Sequence, residues 1–314
     1  MSELRSGLRK ITNGAIGIMP TPVLRYLLKS IHWQPEIQDQ IKFHVTPYHY
    51  SCALADTDEV DVRGLDTKRV IPGFPEDLSA FFPLIAQLKP FAAELHSLPR
   101  TKSENATFWF DNGGYGDFDA ITLYAMVRHL KPKRIIEIGS GFSSRLITFA
   151  ALKNAAEGFK PECMFIEPFP SPALLSFQLS GPLVVKKAQE IPLSEFSNLQ
   201  SGDILFIDSS HVMKAQSDLC YIFQQILPRV SKGGYLHFHD IFTPYDYPAE
   251  WILKHKRSWN EQYVIETLLA NGSNFQTILP VHGLWRDHLD KLKELLPSGH
   301  ICSVALWLRK IQAV

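Results

Sequence analysis

A doubly wound α/β domain, with a mostly parallel sheet of seven strands behind an N-terminal helical extension, is what the sequence predicts. Three observations carry this. Short apolar runs recur downstream of residue 103, and most are continuous rather than alternating, as in parallel strands buried on both faces. Helix-length segments lie between them and supply the crossovers that parallel strands require. One apolar run, Ile135-Ile136-Glu137-Ile138, passes straight into a glycine turn and then into a helix start.

The strands are expected at Arg134–Ile138, Met164–Glu167, Leu183–Val185, Asp203–Asp208, Tyr235–Asp240, Phe275–Leu279 and Ser303–Leu308. Crossover helices are expected at Ser143–Ala156 and Ala215–Val230, with a further helical stretch at Leu289–Leu296 between the last two strands. Upstream, Leu84, Ile85, Leu88, Phe91, Ala92 and Leu95 fall at helical spacing within Leu78–Leu98. The polar stretch Pro99-Arg100-Thr101-Lys102-Ser103 reads as a linker, which divides the chain into an extension of residues 1–102 and a main domain of residues 103–314. The extension is expected to act as a lid or an oligomer contact. Within it, Val23–Lys29 reads as a packed or homo-oligomer-forming helix rather than a membrane-surface one.

Composition narrows the function. Of 314 residues, 45% are hydrophobic and 20% charged, enough apolar surface to fold and too little charge for a disordered tail. Lys and Arg number 32, as do Asp and Glu, so no net charge draws the chain to phosphate backbones, and nucleic acid is excluded as an expected partner. Cys52, Cys163, Cys220 and Cys302 form neither a zinc pattern nor a disulfide framework, and read as reduced, buried thiols. No apolar run approaches the ~20 residues of a membrane span. A cytoplasmic location is the expectation.

The glycine turn is the most informative segment. In Glu137-Ile138-Gly139-Ser140-Gly141-Phe142-Ser143-Ser144 the glycines allow a sharp turn and close backbone approach to a ligand, and the serines can cap the next helix. Glu167, ending the next strand, is an acceptor-only carboxylate suited to the two hydroxyls of a ribose. A dinucleotide fingerprint places a third glycine three residues beyond Gly141, where this chain has Ser144. Glu137, two residues before Gly139, suits a cationic ligand better than a pyrophosphate.

These residues resemble the class I S-adenosylmethionine-dependent methyltransferases, and more narrowly the bacterial methyltransferase-24 group. The likeness runs from about Phe108 to the C-terminus. Its more specific pieces are His44–Tyr50 upstream, Asp111-Asn112-Gly113-Gly114-Tyr115, Phe206–His211, His237–Phe242 and Trp259–Tyr263. The resemblance implies S-adenosyl-L-methionine as cofactor. It places Gly139, Gly141 and Ser143 along the methionine and ribose, Glu167 on the ribose and Gln189 near the adenine, with Asn112 and Tyr115 on a covering segment. The last two strands would form a reversed hairpin.

In an open parallel sheet the ligand crevice lies beyond the carboxyl ends of the strands, so Asp208 and Asp240 are expected to face it together. Three readings of the surrounding cluster stand side by side. Asp208, His239 and Asp240 can hold Mg2+ or another divalent cation that orients a substrate oxygen, although Ile241 stands where an amide ligand would follow in the catechol-type pattern. His211 or His239 can act as a general base, with Asp240 beside them. Alternatively, Asp208 caps a turn and the histidines are hydrogen-bonded within the sheet, the reading preferred for His237. The expected reaction is O-methylation of a hydroxyl on a small-molecule or sugar-like acceptor. Two rivals are an NAD-linked oxidoreductase on the same fold and a nucleoside-binding protein without catalysis.

Overall fold

In the computed structural model, residues 19–47, 49, 51–104, 106–272 and 274–312 are described. Strands β1 (Arg134–Ile138), β2 (Glu162–Ile166), β3 (Leu183–Val184), β4 (Ile204–Ile207), β5 (Tyr235–Phe238), β6 (Phe275–Pro280) and β7 (Leu306–Lys310) form one seven-stranded sheet in the order β3-β2-β1-β4-β5-β7-β6. The first five are parallel, whereas β7 runs antiparallel to both β5 and β6. The expected fold class is therefore the observed one, reversed hairpin included. Chain order reverses between β1 and β4, which creates the switch point of a doubly wound sheet.

The contacts divide the chain into two units. One comprises residues up to Asp61 together with Ile252–Ser258. It contains α1 (Thr21–His32) and α2 (Pro35–Ile41), neither of which has a buried residue. On α1, Leu24, Leu27, Leu28 and Ile31 recur at helical spacing, opposite Arg25, Lys29 and His32. The two helices are tied by Gln38, whose amide donates to the His32 carbonyl at 3.0 Å and accepts from Val45 N–H at 2.7 Å. Tyr48 and Tyr50 of the upstream motif lie outside the described residues.

The other unit, Val62–Trp251 with Trp259 onward, contains the sheet. The segment 62–102 therefore belongs to this unit, because Ile71, Phe74, Leu78, Ile85, Leu88 and Leu95 are buried in the same core as the strands. The helix expected at Leu78–Leu98 is broken into a 3-10 turn, α3 (Phe82–Ala92) and a second 3-10 turn. Next come α4 (Asp117–Leu130), α5 (Phe142–Ala156), α6 (Glu261–Asn271) and α7 (Val281–Asp287). Every residue of α4 from Asp117 to Arg128 is buried. Such a helix is enclosed nearly all round and shows no amphipathic period, so its sequence did not announce it. Of the four cysteines expected to be buried, the structure buries Cys163 alone, on β2; the other three lie off the strands and keep some exposure. Among the described residues, no helix is long and apolar enough to cross a membrane.

Candidate active site

Strand register sets the site. Ile138 of β1 stands opposite Ile166 of β2 and Ile207 of β4, and Ile207 stands opposite Phe238 of β5. The next residue on each strand, namely Gly139, Glu167, Asp208 and His239, therefore falls in one row along the carboxyl edge. Gly139 has φ +86°, and an added Cβ would lie 1.6 Å from the Asp208 carbonyl oxygen. Here glycine is required by both conformation and space. Gly141 differs: a Cβ there would meet nothing within 4 Å, so the turn leaves room on its outer side.

Glu137 and Ser143 do not face that room. Glu137 is fully buried in β1 and accepts from Ser143 Oγ at 2.6 Å and from Ser144 Oγ. Ser144 Oγ in turn accepts the Gly141 N–H at 2.9 Å, so the carboxyl braces the start of α5 from below. Burial pushes the Glu137 carboxyl up to about 8, against the pull of the serine hydroxyls.

A cleft of about 490 Å³ opens on the turn, lined by Gly139, Glu167, Gln189, Asp208, Ser209 and Lys214 among others. Glu167 Oε1 accepts Phe169 N–H at 2.8 Å, and Oε2 accepts Ser140 N–H at 3.3 Å. Both bonds hold the carboxylate at the rim. Gln189 donates to the Gln216 carbonyl at 3.2 Å, while its Oε1 and Ser209 Oγ, both on the cleft wall, are buried without a hydrogen-bond partner. Buried polar atoms rarely stay unpaired. These two are suited to a polar ligand in the cleft.

Beside the cleft lies an acid and histidine cluster. Ligand atoms of Asp208, His211 and Asp240 all lie within 4.8 Å of one another. His211 Nε2 is 3.3 Å from Asp208 Oδ1 and 3.4 Å from Asp240 Oδ2, and its Nδ1 is 2.9 Å from Glu261 Oε2. His239 Nδ1 is 3.5 Å from Asp208 Oδ2 and 3.7 Å from Asp240 Oδ2, and its Nε2 is 3.4 Å from Asp119 Oδ2. Two histidines thus converge on the same two aspartates, each with a further buried carboxylate behind it. His211 and Asp240 both have φ +59°, a left-handed backbone that few non-glycine residues adopt. Such conformations concentrate at functional sites.

Charge follows from the packing. Burial opposes the charged form of His211, but Asp208 and Glu261 outweigh it and push the imidazole up to about 10. Burial likewise opposes charge on His239, yet Asp208, Asp240 and Asp119 hold it well above the ordinary range. Burial would raise Asp208; the two imidazoles reverse that and hold it well below the usual carboxylate range. Asp119 and Glu261 are raised, chiefly by burial. With Asp208, Asp240, Asp119 and Glu261 around two imidazoles, the cluster has a surplus of acids and favours a cation.

Strand alternation would send Asp240 to the face opposite His239. Instead β5 ends at Phe238, and the left-handed turn at Asp240 brings both side chains together. His237 is buried within the sheet, 3.0 Å from the Tyr115 hydroxyl and stacked on Phe206. Tyr115 also covers the His239 ring, with centroids 4.6 Å apart. Asn112 uses both its amide donors and its carbonyl oxygen inside its own turn, bonding Trp109, Gly114 and Tyr115. The turn after β4 is capped by Asp218, which accepts from Ser210, rather than by Asp208. Past β5, Phe242, Trp251 and Trp259 stack edge to face, and Trp259 lies 4.2 Å over the His211 ring.

Sequence reasoning missed Asp119 and the pairing of Glu261 with His211. Asp119 sits on a helix without a periodic signal, and Glu261 is 50 residues from its partner. Only the Trp259–Tyr263 motif hinted at the second.

Comparison with known proteins agrees with this architecture. The profile of the methyltransferase-24 family, described as a methyltransferase domain, matches residues 136–241, from β1 to just past β5. An uncharacterized protein of Archaeoglobus fulgidus is 34% identical over 116 residues, covering 35% of this chain and 52% of its own. The chain thus matches about half the length of that curated relative. Among solved structures, a methyltransferase from Geobacter sulfurreducens is similar at 15% identity and a TM-score of 0.35, covering 76% of this chain and 91% of that one. An O-methyltransferase from Bacillus cereus, in complex with S-adenosylhomocysteine, is similar at 14% identity and a TM-score of 0.37, covering 76% and 92%. Strand order, the reversed β7 and the domain match across the glycine turn decide the architecture. The chain has the class I S-adenosylmethionine-dependent methyltransferase fold.

Proposed function

We propose that this protein is a methyltransferase-24-type enzyme that transfers a methyl group from S-adenosyl-L-methionine to a hydroxyl of a small-molecule acceptor. The observation that carries the reading is the row Gly139, Glu167, Asp208 and His239, which joins a ligand-sized cleft to an acid and histidine cluster along one sheet edge. When bound, the cofactor supplies an activated methyl on a sulfonium. The residues present fit it. Glu167 offers its carboxylate to the ribose, the open side of Gly141 admits the methionine portion, and Gln189 Oε1 and Ser209 Oγ are acceptors or donors still in need of partners. Ser143 and Glu137 support the turn from beneath.

For the acceptor, Asp208 and Asp240 with His211 or His239 form the polar wall against which a hydroxyl is oriented and its proton removed, either to an imidazole or with help from a divalent cation. Tyr115 and Trp259 enclose the two rings and keep water from them. Asn112 shapes the segment that carries Tyr115.

Thermal melting with candidate cofactors tests this. S-adenosylhomocysteine at ~100 times its Kd adds about 2.7 kcal/mol of stability, a rise in Tm of ~5–10 °C for a domain of this size, while NAD+ leaves the Tm in place. A rise with NAD+ and none with S-adenosylhomocysteine overturns the reading in favour of an oxidoreductase.

A further inference from the structure

We propose that the unit containing α1 docks the protein on an anionic lipid surface, with the apolar side of α1 lying in the headgroup layer and Arg25, Lys29 and His32 meeting the lipid phosphates. This goes beyond methyl transfer and does not rest on it.

The helix suits an interface rather than a core. A helix forms over Val23–Lys29 as expected, but it is not packed: α1 has no buried residue. Val23, Leu27 and Leu28 are 42 to 48% exposed, and Tyr26 and Trp33 are 72% and 71% exposed. At 3.6 residues per turn Val23, Leu24, Leu27, Leu28 and Ile31 fall within an arc of about 140°, and Arg25, Lys29 and His32 share the other side. A stripe that wide normally faces a core. The patch continues into α2, where Ile37 and Ile41 lie on the side away from Glu36 and Asp39, and all three of Ile37, Ile41 and Phe43 are exposed.

Charge selects what covers it. Residues 1–33 hold Arg5, Arg9, Lys10, Arg25 and Lys29 against one acid, Glu3, in a chain that balances 32 basic with 32 acidic residues overall. The excess is therefore local. A groove of about 730 Å³ opens between α1 and residues 45–47, with Arg25, Lys29 and His32 on its walls, which gives a phosphate headgroup room beside the apolar stripe. Lys and Arg stems lie along apolar surface while their charged ends reach phosphates, and Tyr and Trp favour the boundary between lipid and water.

A second copy of the chain fits less well. Two-fold pairing on this face would set the basic row against its own image. Nucleic acid would match the charge but leave the apolar arc in water.

The test is co-sedimentation of the full-length chain with vesicles of phosphatidylcholine alone and of phosphatidylcholine containing about one third phosphatidylglycerol. The expected result is binding to the mixed vesicles, at least ~10-fold tighter than to phosphatidylcholine and weakened in ~1 M NaCl. R25E/K29E should reduce binding at least ~30-fold, at ~5-fold for each charge removed, and L27S/L28S by at least ~30-fold through lost insertion. Circular dichroism and Tm check that each variant is folded, and R25Q/K29Q or L27A/L28A replaces a pair that is not. Absence of binding to the mixed vesicles, equal affinity for phosphatidylcholine, or a folded variant of either pair with parental affinity overturns the proposal. Sedimentation velocity without lipid is run in parallel. A dimer that L27S/L28S dissociates, with no vesicle binding, assigns the face to a second copy and also overturns it.

Discussion

Alanine at Gly139 and alanine at Gly141 are expected to fail in different ways, although only Ser140 lies between them. At Gly139 the φ of +86° costs an L-residue about 1–2 kcal/mol. The new Cβ would also lie 1.6 Å from the Asp208 carbonyl oxygen and 2.5 Å from its carbon, so the end of β4 must retreat or the turn must open. Displacing a packed strand end adds about 1–3 kcal/mol. Together these give ~2–5 kcal/mol, a fall in Tm of ~5–20 °C at the ~2–4 °C per kcal/mol typical of this size. At Gly141 nothing lies within 4 Å of a Cβ and the backbone is extended, so alanine costs the fold little. That methyl would instead occupy the room left for the cofactor, lowering affinity for S-adenosylhomocysteine at least tenfold, or about 1.4 kcal/mol. Denaturant unfolding and calorimetric titration of both variants separate the effects. G139A as stable as the parent refutes the close approach of turn and strand, and G141A with parental affinity refutes the cradle.

Three further outcomes are expected. E167A should weaken S-adenosylhomocysteine by about 1–3 kcal/mol, the scale of lost charge-assisted hydrogen bonds; calorimetry showing parental affinity removes Glu167 from the ribose. S144A leaves the buried Glu137 carboxyl with one hydroxyl partner fewer and should cost about 1–3 kcal/mol of stability, and urea unfolding with an unchanged midpoint would contradict that bracing role. His282 is buried, with Nδ1 2.7 Å from the Ser303 carbonyl, and burial pulls its imidazole down to about 4 from 6.5. The unfolded chain therefore binds more protons between these values, so this contribution is complete above pH 6.5 and is lost as pH falls toward 4, by ~3 kcal/mol in all. H282Q should flatten the stability profile across that window, and an identical slope in both proteins rules the assignment out.

The parallel strands were legible because burial on both faces leaves continuous apolar runs, and β1, β4 and β5 lie within a residue or two of their expected places. Glycine spacing likewise located the turn, and Gly139 proved the position where no side chain fits. Less was legible where tertiary packing overrides local pattern. Glu137 looked like a ligand-facing acid, but strand pleat turns it inward onto Ser143 and Ser144. The relative placement of His239 and Asp240 depends on a left-handed residue after the strand, which no alternation rule anticipates. Asp119 and Glu261 reach their histidines only through folding, from a fully buried helix and from the start of α6, so proximity in sequence says nothing of them. The polar stretch at 99–103 resembled a boundary, yet the apolar residues before it, such as Leu88 and Leu95, fill the same core as the sheet.

A crystal structure of the chain with S-adenosylhomocysteine tests the central claim most directly. The account predicts the ribose hydroxyls within hydrogen-bond distance of the Glu167 carboxylate, with the sulfur on the side of Asp208 that faces His211 and Asp240. A nucleoside bound elsewhere, or one whose sulfur points away from those side chains, would contradict it.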